Sequence, residues 1–148
     1  MIYYLDASVL VKVYCYEEGT EAIVNLLRSE VSFYSSIVVY SEVLFTLRRK
    51  MKNKDIGKNE FLRQTERFKS HFQTLINCIQ ISDDILNILE NKVLKHSMRA
   101  LDAIHLASAL LVRENIDEDC IFVCSDDDLL NFAKEENFDL INPAETGT

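Results

Sequence analysis

Residues 2–14 read Ile2-Tyr3-Tyr4-Leu5-Asp6-Ala7-Ser8-Val9-Leu10-Val11-Lys12-Val13-Tyr14. Ile2 to Leu5 is a short apolar, β-prone run with no polar alternation, the pattern of a strand covered on both faces. It ends at an acid, and residues 7–14 then continue as a helix. The arrangement returns near the other end, where Ile121-Phe122-Val123-Cys124 leads into Ser125-Asp126-Asp127-Asp128 and the start of another helix. Short buried strands alternating with helices imply βαβ crossovers and a mainly parallel sheet. In such a sheet ligands bind in the crevice outside the carboxyl ends of the strands. Asp6 and Asp126 both follow a strand end, so both are expected to point into one crevice.

The rest of the chain fits this alternation. Helical spacing of Ala22, Ile23, Leu26 and Leu27 predicts a helix over 20–29, and 32–35 reads as a second strand. Ser36 is placed as the N-cap of a long helix carrying Val39, Val43 and Leu47 into Arg48-Arg49-Lys50. A turn is expected over 53–57, a helix over 59–75, a strand over 78–81, and a helix opened by Ser82-Asp83-Asp84. A compact Ala- and Leu-rich helix is predicted over 101–112, and Leu140-Ile141 as a last strand.

Composition narrows the class. With 148 residues and 48% of them hydrophobic, the chain is expected to form one domain over 1–148 with a proper core. Three glycines and one proline make collagen, Pro-rich linkers and turn-dense all-β sandwiches poor readings. No uncharged apolar run reaches the ~18 residues needed to cross a bilayer. The first residues have no basic start, and Asp6 interrupts before a signal-peptide core forms, so a cytoplasmic protein without a membrane partner is expected. Cys15, Cys78, Cys120 and Cys124 show no metal or redox spacing and read as reduced core residues. The net charge of -8 argues against tight nucleic-acid binding, since phosphates need Lys and Arg. Yet charge is uneven: residues 48–69 hold nine basic and three acidic residues, and residues 114–148 hold eleven acidic and one basic. The basic stretch fits an RNA track, a surface for an acidic partner segment or an ordinary solvated helix face.

The candidate chemistry rests on acids. Asp6 and Asp126 each have a simple alternative reading as helix N-caps, because short polar side chains accept bonds from free amides at a helix start. Glu42 lies in a largely apolar stretch of helix, where a carboxylate needs a cation, a partner or a raised pKa. Arg49, two turns on, is its candidate salt-bridge partner. Asp102 shares an apolar helix face with Leu106 and Ala109, and His105 beside it reads as a hydrogen-bonded packing residue. Four acids from two strand ends and two helices, converging on one crevice, would repel one another. A bound divalent cation resolves that repulsion, and hard oxygen donors without His or Cys favour Mg²⁺ or Mn²⁺. Phosphodiester hydrolysis is the natural use of such an ion. Rival phosphoryl chemistries fit less well: a haloacid-dehalogenase pattern wants an acid where Ser8 stands, a receiver wants paired acids after the first strand, and P-loop and Rossmann glycine patterns are absent.

Four segments in this order, Tyr4-Leu5-Asp6-Ala7-Ser8-Val9-Leu10-Val11-Lys12, Ser41-Glu42-Val43, Leu101-Asp102-Ala103-Ile104-His105-Leu106-Ala107 and Phe122-Val123-Cys124-Ser125-Asp126, resemble the PIN domain, specifically the VapC-like ribonuclease toxins. The resemblance runs from residue 2 to Pro143. It implies an α/β fold, a three-layer α/β/α arrangement with a short, mainly parallel central sheet and a helical hairpin. It implies that Asp6, Glu42, Asp102 and Asp126 form the family's acidic quartet around Mg²⁺ or Mn²⁺, with Asp6 and Asp102 as direct ligands. Ser8 would orient a carboxylate, a water or a phosphate, and Asp126 would act through water with Ser125 and Asp128 beside it. The family often has Ser or Thr two residues before its fourth acid, where this chain has Cys124. The implied reaction is metal-dependent endonucleolytic hydrolysis of single-stranded or loop RNA, transfer RNA among the candidates. The implied partners are an antitoxin that covers the site and a second copy of the chain. Lys12 and Arg99, near the acids, are candidate phosphate contacts or charge balances. Two alternatives within the fold are a processing nuclease for RNA or DNA and a scaffold that binds without cleaving.

Overall fold

In the computed structural model, which describes residues 1–145, the strand read first lies at the centre of the sheet. The chain runs β1 (Ile2–Leu5), α1 (Ala7–Tyr14), α2 (Thr20–Leu27), β2 (Ser32–Ser36), α3 (Val38–Lys52), α4 (Lys58–Leu75), β3 (Ile76–Ile79), α5 (Asp83–Ile88) with a π-helical turn (Leu89–Val93), α6 (Ala100–Asn115), β4 (Cys120–Val123), α7 (Asp127–Glu135) and β5 (Asp139–Ile141). The five strands lie in the order β3-β2-β1-β4-β5, and every pairing is parallel.

Strand side chains alternate between two cores. Ile2, Tyr4, Cys120 and Phe122 point to the face covered by α5, α6 and α7, where they meet Ile85, Leu106, Leu110 and Leu129. Leu5, Phe33 and Val123 point to the opposite face, where α1 to α4 supply Val9, Leu10, Ile23, Val39, Val43, Leu47 and Phe68. Burying a side chain of this size contributes roughly 1.5–3 kcal/mol, and a one-residue slip of a strand would exchange its two faces. Burial on both sides therefore pins the register. The result is the expected three-layer α/β/α arrangement. Its helical hairpin is α3 with α4, closed by Tyr40 against Phe68 and Phe72 at ring distances of 5.6 and 5.0 Å.

Successive strands run outward from β1 to β2 and β3, and the chain then returns to lay β4 and β5 on the other side. The order reverses between β1 and β4, so a crevice opens at their carboxyl ends. Leu5 pairs with Val123 there, and the Asp6 amide donates to the Val123 carbonyl at 3.1 Å.

Several boundaries differ from the sequence expectation. Ser36 ends β2, pairing with Ile79, and does not cap α3 with a bond of ordinary cap geometry; its hydroxyl accepts from the Val38 amide at only 3.4 Å. β3 begins at Ile76, two residues before the expected 78–81, because α4 passes into it with no intervening loop and β-branched Ile76 pairs with Phe33. β4 starts and ends one residue earlier than expected, leaving Cys124 beyond its end. Lys54 takes the left-handed conformation in the expected 53–57 turn, with φ 62°, while Gly57 is extended.

Candidate active site

Two of the acids are delivered by strand ends, and both cap helices. The Ser8 amide donates to Asp6 Oδ2 at 3.0 Å at the start of α1, and the Leu129 amide donates to Asp126 Oδ1 at 3.0 Å at the start of α7. Capping and a place in the site are compatible, because each carboxylate keeps a second oxygen for other work. Asp6 Oδ1 faces the His105 ring and Asp126 Oδ2 accepts from Arg99. The other two acids come from helices: Glu42 from α3 and Asp102 from the first turn of α6. All four line a single cleft of about 450 Å³ at the carboxyl edge of the sheet, together with Ser8 and Arg99.

His105 ties the elements together. It is fully buried, one turn after Asp102 on α6, and its Nε2 lies 2.6 Å from Glu42 Oε1 and 3.4 Å from Asp6 Oδ1. Facing two carboxylates, Nε2 carries a proton. On the other side of the ring, Nδ1 lies 2.8 Å from the Tyr4 hydroxyl, which accepts from the Ser36 amide at 3.1 Å. One imidazole thus couples β1, β2, α3 and α6. Burial by itself lowers the imidazole pKa, but Asp6 and the hydrogen bond with Glu42 outweigh it and the net shift is upward. For Asp102, burial raises the carboxyl pKa, a shift that its bond with Arg99 only partly offsets.

Cys124 lies against the base of the cleft. Its sulfur is 3.5 Å from Asp6 Oδ2, and the Asp126 amide donates to it at 3.2 Å. Ser8 joins the same junction, its hydroxyl oxygen accepting from the Ser125 amide at 2.9 Å, while the Ser125 hydroxyl donates to Asn142 Oδ1 at 3.0 Å. Ser8 and Ser125 therefore hold the β1 and β4 ends in register beneath the acids.

Other expected residues are placed elsewhere. Lys12 is buried on α1, 3.9 Å from Glu17, and does not line the cleft. The Arg49 salt bridge with Glu42 does not form: Arg49 lines the cleft but donates to Thr46, and His105 takes Glu42 instead. Asp128 is exposed and lines a neighbouring hollow. Of the basic stretch 48–69, Arg67 packs over Tyr14 and donates to the Val13 carbonyl, while Arg63 and Lys69 pair with acids on their own helix.

The donor set suits a hard divalent ion, since it consists of carboxylates with no thiolate among them. Among the described residues, no three acidic, His or Cys groups are gathered tightly enough to grip an ion as they stand. Arg99 instead supplies positive charge, donating through Nε to Asp102 Oδ2 and through Nη2 to Asp126 Oδ2, each at 3.0 Å. Sequence reasoning left Tyr4 out of the site and read His105 as a packing residue, while Cys124 was noted as standing where the family often has Ser or Thr. The spacing of His105 three residues after Asp102, on one helix face, was the available signal.

Comparison with known proteins places this fold in a family. The PIN domain family model matches residues 3–135. Ribonuclease VapC45 of Mycobacterium tuberculosis is 30% identical over 109 residues, covering 74% of this chain and 75% of that protein. Among solved structures, FitAcB from Neisseria gonorrhoeae superposes with a TM-score of 0.67 at 16% identity, covering 97% of this chain and 98% of that one. A toxin-antitoxin complex from Klebsiella pneumoniae superposes with a TM-score of 0.66 at 16% identity, covering 95% and 97%. With a matching family model over most of its length and a VapC relative over three quarters of it, the chain belongs to the PIN domain family and is VapC-like.

Proposed function

We propose that this chain, acting as one PIN domain, is an endoribonuclease that hydrolyses phosphodiester bonds in single-stranded or loop RNA with the help of Mg²⁺ or Mn²⁺, and that it is the toxin of a toxin-antitoxin pair. The observation that carries the reading is the convergence of Asp6, Glu42, Asp102 and Asp126 on one cleft at the switch point of the sheet. The ribonuclease part is supported by the likeness to a protein named Ribonuclease VapC45, and the antitoxin part by the likeness to the Klebsiella toxin-antitoxin complex.

Asp6 and Asp102 are the candidate direct ligands, with Asp126 and Glu42 completing the donor set. A bound ion would supply the Lewis acidity and countercharge that attack of water on a phosphodiester needs. The chain's own residues do the rest. His105 holds Glu42 and Asp6 in place, Ser8 and Cys124 brace Asp6 from below, and Arg99 and Arg49 offer guanidinium groups to phosphate at the cleft wall. Phe45, 64% exposed on the same cleft, gives an unpaired base a surface to stack on. The basic stretch 48–69 reaches the cleft through Arg49, and a second copy of the chain is the expected solution partner. Among the described residues no helix is long and apolar enough to cross a membrane.

The test is cleavage of end-labelled transfer RNA beside a DNA control, with Mg²⁺, Mn²⁺ or chelator, by wild type, Asp6→Asn and Asp102→Asn. Discrete metal-dependent cuts in RNA alone, lost in both variants, are expected. Cuts in DNA would favour a processing nuclease, and RNA binding without cleavage under any metal would favour a non-catalytic scaffold.

A further inference from the structure

Arg99 forms part of the wall between two hollows. With Asp102 it lines the acidic cleft and also an adjoining space lined by Met98, Asp128 and Phe132. It is the cap residue just ahead of α6, with an extended backbone (φ -69°, ψ 150°), and its side chain is 74% exposed. Its two bonds go to one carboxylate oxygen on each of two elements, Asp102 on α6 and Asp126 at the start of α7. Among the described residues its side chain makes no other hydrogen bond or ion pair.

This places a cation between two acids that the proposed metal site also needs. A guanidinium is a planar fork that can satisfy two carboxylates at once, which an ammonium cannot do in the same way. The bonds are nevertheless in contact with solvent, where an ion pair is typically worth only ~0.2–1 kcal/mol. Such a bridge is strong enough to draw Asp102 and Asp126 onto itself and weak enough to yield to a doubly charged ion competing for the same oxygens. The adjoining hollow offers the displaced side chain both room and an anion, the exposed carboxylate of Asp128.

Resting on the reading of these acids as a metal site, we infer that Arg99 is a built-in competitor for the ion. It bridges Asp102 and Asp126, and it must release both carboxylates before those oxygens can turn to a metal. Arg99 therefore sets the metal concentration at which the site fills, apart from any contact it makes with phosphate.

The test is calorimetric titration of Mn²⁺ into wild type, Arg99→Gln, Arg99→Lys, Asp6→Asn alone and combined with Arg99→Gln, and, as a control for general positive charge in the cleft, Arg49→Gln. Each is also melted with and without Mn²⁺. Arg99→Gln is expected to bind Mn²⁺ roughly three- to tenfold more tightly, in the range that two exposed ion pairs allow. Arg99→Lys should gain less, and Arg49→Gln should stay within about twofold of wild type, since among the described residues Arg49 bonds to Thr46 and to no acid. Metal-free Arg99→Gln should melt slightly lower than wild type, with a larger rise on adding Mn²⁺. A merely structural Arg99 would lower both melting points together. Equal or weaker Mn²⁺ binding by Arg99→Gln, with wild-type binding intact and abolished by Asp6→Asn, overturns the competitor role and leaves the site standing. No Asp6-dependent binding in wild type or in Arg99→Gln overturns the metal site itself.

Discussion

Cys124 occupies the contact point between Asp6 and the Asp126 amide with a sulfur atom, which makes longer and weaker bonds than a hydroxyl. Burial first, and then the Asp6 carboxylate, push its thiol pKa far above the ordinary range, so the group stays protonated and braces the site without acting as a nucleophile. Cys124→Ser is therefore expected to cleave RNA at close to the wild-type rate, because a hydroxyl can serve the same two neighbours. Cys124→Ala leaves the Asp126 amide and an Asp6 oxygen short of a partner and should cost about 1–3 kcal/mol in urea unfolding. A serine variant that folds but does not cleave would show that the sulfur itself is required. At this scale the sequence was only partly legible. Asp6 and Asp126 were legible as acids just past strand ends, and Glu42 and Asp102 as acids on apolar helix stretches, but caps or ion pairs explained Asp6, Asp126 and Glu42 as well, and the resemblance to the PIN domain grouped all four. His105 was not legible as a site residue, because a lone histidine on a helix looks alike whether it fills a core or orients two carboxylates, and its partners lie 63 and 99 residues away in the chain.

At the scale of elements, the junction between α1 and α2 depends on the far end of the chain. Gly19 sits at φ 89° just before α2, and a Cβ there would lie 2.8 Å from backbone atoms of Pro143 and Ala144. Gly19→Ala meets both an unfavourable backbone conformation and a rigid obstacle, so it should destabilise by more than about 1 kcal/mol. Thermal or urea unfolding measures this, and an unchanged midpoint would mean that the segment around Pro143 moves aside at no cost. Where elements have strong local punctuation, the sequence located them well: Ser82 caps α5, accepting from the Ile85 amide, and Asp126 caps α7. Boundaries slipped where punctuation was missing. No glycine or proline separates α4 from β3, so only pairing with β2 decides where helix becomes strand. Ser36 has the chemistry of a helix cap, yet the sheet claims its backbone.

For the whole molecule, the proposed metal site links ion binding to global stability. An ion that binds only the folded state at 100 times its Kd adds about 2.7 kcal/mol, several degrees of melting temperature for a chain of this size. Mn²⁺ is expected to raise the melting temperature of wild type, and Asp6→Asn or Asp102→Asn should lose most of that rise in a scanning fluorimetry series. Equal rises in all three would put the ion elsewhere. A mainly parallel α/β sheet was determined by the sequence alone, because short apolar runs alternating with helices call for βαβ crossovers, while the three-layer arrangement was what the resemblance to the PIN domain implied. The acidic character of the site was determined there too, since each acid ends a strand or interrupts an apolar helix face. Only the tertiary structure decided how those acids are partnered. Which cation or ring meets Glu42, Asp102 and Asp126 depends on distances between elements brought together across the sheet, and local spacing does not encode them. The fold thus gave Glu42 to a buried imidazole, kept Lys12 out of the cleft, and set Arg99 between two of the acids.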